Sequence, residues 1–159
     1  MAKSYAVDIA ASTAILTTAE AKQHLKVDTS ADDDYIDNLV SAATESAQIF
    51  TNRYFINTTI TQHGDTWSDI ATLFKSKVSS ITHIKYFDSD NSEQTLATSV
   101  WLSDINHQPA RIGLKPSQSF PSLADRINAV NCKYVVGYGS AASDVPEGIR
   151  EAVLLTIGN

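Results

Sequence analysis

The amino-acid sequence predicts an α+β fold: a small helical bundle of two N-terminal helices and one C-terminal helix, into which an antiparallel β-sheet region is inserted. Three patterns predict it. Apolar residues recur at helical spacing before Arg53, and β-branched and polar residues alternate between about 56 and 137. From Cys132 to Leu155 a strand, a glycine turn and a capped helix then follow one another. Residues 1–16 read as an extended N-terminal arm, and 17–159 as a single domain carrying the β-rich insert.

The elements follow in order. Thr17-Thr18-Ala19-Glu20 fits a capping box, with Thr17 as N-cap and Glu20 reaching back to it, and predicts a short helix to about Leu25. Ser30 to Asp33 can cap a second, longer helix, with Asp32, Asp33 and Asp34 in the first turn, where negative charge meets the positive end of the helix dipole. Its apolar stripe is Ile36, Leu39, Val40, Ala43, Ala47 and Phe50. The small side chains of Ala42, Ala43, Ser46 and Ala47 would let another helix approach closely. Thr58 to His63 reads as a strand. Val78 to Phe87 alternates with Ile81, His83, Lys85 and Phe87 on one face and Ile84 and Tyr86 on the other. Asp88 to Ser92 is a turn by composition, returning through Glu93 to Ala97. Val100 to Leu102, Ala110 to Leu114 and Ile127 to Val136 are further strands. In the closing helix Asp144 is the predicted cap, Glu147 its partner, and Pro146 sits in the first turn, where its missing N–H costs nothing.

Composition narrows the function. The 159 residues suffice for one domain with a real core. Net charge is −6, and the 12 basic residues are scattered, the densest group being Lys75-Ser76-Lys77. Tight phosphate binding needs clustered Lys and Arg, so direct nucleic-acid binding is not expected. Cys132 is the one cysteine, which allows no internal disulfide and suits a reducing cytoplasm as a buried thiol. The N-terminus is a poor signal peptide, and no apolar run of membrane-spanning length occurs.

Chemistry-bearing motifs are weak. Asp32-Asp33-Asp34 reads as a charged helical turn. Asp88-x-Asp90-x-Ser92 resembles the start of a calcium loop but has Glu93 where the loop needs glycine and Ser99 where it needs glutamate. Gly137-x-Gly139-x-x-Ala142 follows a strand, yet the helix opens too late for a dinucleotide fingerprint. His24, His63, His83 and His107 lack zinc spacing. No catalytic residue, metal site or cofactor is assigned, and the chain is not expected to be an enzyme. Aromatic and small residues are the candidate interface positions: Ala43, Ser46, Ala47, Trp101, Phe120, Pro121 and Tyr138. Two alternatives remain: a small metal-dependent enzyme using Asp88, Asp90 and a histidine such as His83, or a nucleic-acid-binding module.

Two stretches carry a family resemblance. LTTAEAKQHLKVDTSADDDYIDNLVSAATESAQIFTNRYF (Leu16 to Phe55) resembles the opening of tailed-phage head–tail connector proteins, also called head-completion or adaptor proteins. There a short capped helix and an acidic break precede a long Ala-rich helix ending in a Thr-x-Arg-x-aromatic turn, here Thr51, Arg53 and Phe55. Val78 to Leu155 resembles that family's β-insert and closing helix through VSSITHIKYFDSDNSEQTL, ARIGL, FPSL and YVVGYGSAASDVPEGIREAVLL. The resemblance implies a structural virion protein without enzymatic activity, made in the bacterial host cytoplasm and located in the virion neck at the portal–tail junction. It implies a ring, usually twelvefold, bound to the portal protein and to stopper or tail-completion proteins, with DNA passing through the lumen without specific binding and no membrane partner. The family often extends its last helix into a longer tail, whereas this sequence stops at Asn159; the arm before Thr17 is then expected to reach a neighbour.

Overall fold

A computed structural model describes residues 4–158. The chain runs β1 (Ser4–Ile9), α1 (Thr18–Leu25), α2 (Asp33–Thr51), β2 (Thr58–Gly64), α3 (Trp67–Ile70), β3 (Val78–Phe87), β4 (Glu93–Thr95), β5 (Trp101–Asp104), β6 (Arg111–Leu114), β7 (Val130–Val136), a 3₁₀ turn (Ala142–Asp144) and α4 (Glu147–Ile157). The class is mixed α+β. Five strands form one sheet in the order β1-β2-β7-β3-β4, each neighbouring pair antiparallel, and β5-β6 make a separate two-stranded ribbon.

The sheet is built on β2 and β7. Both alternate buried and half-buried residues along their whole length, as a pleated strand with one face on the core must. Ile60 faces Tyr134, Gln62 faces Cys132 and Thr58 faces Val136 in register. Burial pushes the Cys132 thiol up to about 12, so it is protonated and inert at neutral pH. In β3 the simple alternation of faces fails. The pairing with β7 shifts between Val78 and Ser80 and again between Ile81 and His83. Each irregularity changes the phase of the pleat, so Ile81 and Ile84 both reach the same core. The stretch read as an extended arm contains a strand: Ser4–Ile9 pairs with β2 at the edge of the sheet, and only Tyr5 is half-buried among its six residues.

A second core gathers Ile15, Leu16, Ala21, Ile36, Val40, Ala43, Phe55, Ile56, Val145 and Val153. These come from α1, α2, α4 and the segments beside them. The capping box at α1 is present: Glu20 N–H donates to Thr17 Oγ1 (3.2 Å), and Thr17 N–H donates to Glu20 Oε2 (2.7 Å). Arg150 of α4 then pairs with Glu20 and donates to the Ile15 carbonyl (3.1 Å). Lys22 of α1 pairs with Asp33 of α2 at 2.6 Å. Polar contacts thus tie together three short apolar faces.

The start of α4 departs from its predicted cap. Asp144 belongs to the 3₁₀ turn, its carboxylate accepts the Ala141 N–H (2.9 Å), and Pro146 is the N-cap residue. Glu147 instead accepts a bond from Arg150 (3.1 Å). The apolar stripe of α2 also ends early. Phe50 is 91% exposed although it lies on the same helical face as Ile36 and Val40. The 19 residues of α2 span about 28 Å and the 11 of α4 about 16 Å, so the last turns of α2 outrun their partner.

Candidate functional site

The two cores meet at the turn after β7. Gly137 has φ +138°, and a Cβ there would stand 2.7 Å from the backbone of Ile56 and Asn57. Only glycine combines that angle with so close an approach. Gly137 N–H donates to the Lys77 carbonyl (2.9 Å), Tyr138 N–H to Phe55 (3.0 Å), and Asn57 N–H to Gly139 (2.8 Å). The glycines therefore seat the chain's exit from the sheet against its exit from α2.

A buried amide extends the seam. Gln62 of β2 donates to the carbonyls of Asp69 (2.8 Å) and Thr72 (3.1 Å), and its oxygen accepts from Phe74 N–H (2.7 Å) and the Tyr134 hydroxyl (3.2 Å). All four hydrogen-bonding positions of the amide are used. The segment from α3 to Lys75 is pinned over the sheet as a result. Burial pushes the Tyr134 phenol up, which keeps it a neutral donor. Sequence patterning gave no sign of this network, because a glutamine in an alternating strand reads as solvent-facing. The short helix α3 interrupts the β-rich insert, and Thr66 and Asp69 form a capping box that the Thr-x-x-Asp spacing announces.

Beyond this segment lies an open cleft of about 1060 Å³. One wall is the outer side of α2, the other the linker at Ala11–Ala14, and the floor includes Tyr5, Tyr54 and Lys75. Lys75 is only 9% exposed. Its Nζ donates to Asn52 Oδ1 (2.7 Å) and lies 5.3–5.5 Å from the ring centres of Tyr5, Phe74 and Tyr54, an arrangement that favours a cation. Burial pushes the Tyr54 phenol up to about 12, so that phenol is neutral beside the ammonium.

The candidate interface residues are dispersed. Ala43 is buried in the chain's own helical core, so its small side chain serves packing within the subunit. Ser46 is exposed and Ala47 half-buried on α2. Phe120 stacks on Trp67 with centroids 4.5 Å apart, and the Pro121 carbonyl accepts the Trp67 indole N–H (2.9 Å). Trp101 packs half-buried against the sheet core, its indole nitrogen without a hydrogen-bond partner among the described residues. Tyr138 accepts from Arg53 (2.8 Å) and lies under Lys77. Asp88, considered as a metal ligand, closes a hairpin: it accepts the Asp90 and Ser92 N–H groups at 3.1 and 3.0 Å, and these backbone donors, Ser92 first, hold it below the usual carboxylate range. No three His, Cys, Asp or Glu side chains among the described residues are grouped to hold a metal ion. No described helix is long and apolar enough to cross a membrane.

The family model for phage gp6-like head-tail connector proteins matches residues 16–115, which include the capped α1, α2, β2, β3 and the β5-β6 ribbon. The chain belongs to this family. Solved structures share the fold. A chain in the neck of an empty gene transfer agent particle, computed with C6 symmetry, superposes with a TM-score of 0.76 at 19% identity, covering 98% of this chain and 82% of that one. A chain of the native gene transfer agent virion gives 0.74 at 20% identity, covering 97% and 81%. A chain of the native particle's neck, computed with C12 symmetry, gives 0.72 at 21% identity, covering 97% and 80%. No curated protein matches the chain in sequence. The family is one of structural head-tail connector proteins.

Proposed function

We propose that this chain is the adaptor of a phage-type neck, assembling as a ring between the portal vertex and the stopper or tail-completion proteins. The observation that carries the reading is the connector-family match over residues 16–115. The fold shared with neck chains of gene transfer agent particles, whose structures were computed with C6 and C12 symmetry, supports a ring of twelve copies. Such a ring uses head-to-tail contacts, which join two different surfaces of the same chain and close by rotation. In this reading the three-helix cluster is the body of the connector and the inserted sheet projects from it. Ser46 and Ala47 of α2 serve the subunit contact, and Trp101, Phe120, Pro121 and Tyr138 brace the surfaces beside it. The protein acts without catalysis, and its net charge of −6 suits a lumen through which DNA slides without being gripped.

The test is direct. Purified protein mixed with its portal should add a ring of density to negative-stain class averages. Portal averages that remain unchanged, together with neck density in the particle that the fold does not fit, would rule the reading out.

A further inference from the structure

The two ends of α2 are chemically opposite. Around its N-terminus, Asp28, Asp32 and Asp34 are exposed and their carboxylates make no hydrogen bond or ion pair among the described residues, while Asp33 is taken by Lys22. Tyr35, 65% exposed, stands beside them. Past its C-terminus lie Lys75 and Arg53, both lining the cleft. Neither pairs with a carboxylate among the described residues. Lys75 has Asn52 and three aromatic rings, and Arg53 donates to the Tyr138 hydroxyl and the Gln108 side chain at 2.8 and 2.7 Å. Ile49 and Phe50, 71% and 91% exposed, stand on the neighbouring turn of α2.

A buried ammonium with only neutral partners keeps most of its attraction for an anion, because low-dielectric surroundings screen little. Of the two carboxylates that share the cleft, Asp37 lies at its other end and Glu45 one to two helical turns from the cationic end. Asp37 is about 22 Å from Asn52 along the helix and already accepts from Thr18 (2.6 Å); Glu45 is about 10 Å away. We propose that the Lys75–Arg53 end of this cleft receives the acidic turn Asp28–Tyr35 of a second copy of the chain. Asp32 and Asp34 then approach the cationic floor while Tyr35 covers Ile49 and Phe50. The donor and acceptor surfaces sit at opposite ends of a helix about 28 Å long, so the contact is head-to-tail and leaves one free end of each kind to continue around a ring. Charge complementarity selects this occupant: the turn is acidic and apolar, and the cleft end is cationic with an apolar lip. The proposal rests on the ring reading above.

A fluorescent peptide of residues 27–36, VDTSADDDYI, titrated against the full chain tests it without requiring a ring. Saturable binding that weakens with salt is expected. A peptide with Asp28, Asp32 and Asp34 all changed to Asn should bind about tenfold more weakly or worse, as should the wild-type peptide to the Lys75→Met protein, since each change removes charge from one side of a desolvated contact. The Asn peptide keeps the test sound if Lys75→Met does not fold. Absence of binding, or equal binding of the Asn peptide, overturns the contact; displacement of the peptide by a short DNA duplex of equal charge shows that nucleic acid is the occupant and overturns it too. A failed peptide with portal-bound rings intact leaves the ring reading standing, whereas a binding peptide with no neck ring keeps the contact and removes that reading.

Discussion

Strand β7 and helix α2 both carry their region's core, but they treat apolar side chains differently. In β7 every apolar residue is at least half covered, and Val130, Cys132, Tyr134 and Val136 are wholly buried. In α2, Ile36, Val40 and Ala43 are buried while Tyr35, Ile49 and Phe50 stand in solvent. The strand has β2 on one side and β3 on the other, so both of its edges are paired within one chain. The helix is longer than the helices it packs on, and apolar side chains near both of its ends are exposed. An exposed apolar cluster beside charge is what an interaction surface requires and a stability core avoids.

This contrast can be broken by mutation. The largest effect is expected in the sheet: Ile60→Ala, at a position with no exposure opposite Tyr134, should cost about 2–5 kcal/mol in a denaturant titration. A loss no greater than that of a surface substitution would mean that the sheet core is not closed. Gln62→Ala should come next, at about 1–3 kcal/mol in total, and it should loosen the segment that carries Lys75. Faster amide exchange at Phe74 than at Ile84 would register that loosening.

Smaller effects belong to the helical region. Thr17→Ala removes the α1 cap and should lower stability by about 1 kcal/mol. The pH dependence has a definite sign. Glu20 is held below its ordinary value of 4.5, first by the Thr17 backbone N–H, then by the Thr17 hydroxyl and by Arg150. Its folded value lies below its unfolded one, so its contribution is complete above about 4.5 and is lost as pH falls through the lowered value. A melting-temperature series in acid should therefore fall less steeply in Glu20→Gln than in the wild type. Smallest of all, Phe50→Ser should change monomer stability by no more than about 0.5 kcal/mol, because the ring has no cover to lose. A large destabilisation there would erase the contrast between β7 and α2.

The candidate surfaces were legible only in part. Ala43 and Ser46 sit one turn apart in a stripe of small residues, yet one is buried and the other exposed. Helical spacing sets the angle of a side chain about the axis but not how far the neighbouring helix extends, and the same gap explains Phe50. Trp67 is far in sequence from Phe120-Pro121, and the contact between them depends on loops of no fixed period. Lys75, in a Lys-Ser-Lys run, reads as an exposed charge until Gln62 draws its segment onto the sheet.

Local chemistry determined the capped α1, the acidic start of α2, the alternation of β2 and β7 and the glycine exit at Gly137, because caps, pleats and left-handed turns depend on residues within a few positions of one another. Only the tertiary structure decided the order of the sheet, the phase of β3, the pairing of β1 at its edge and the caged ammonium at the end of the cleft. Those depend on which distant segments meet, and on how far each element reaches beyond its partner.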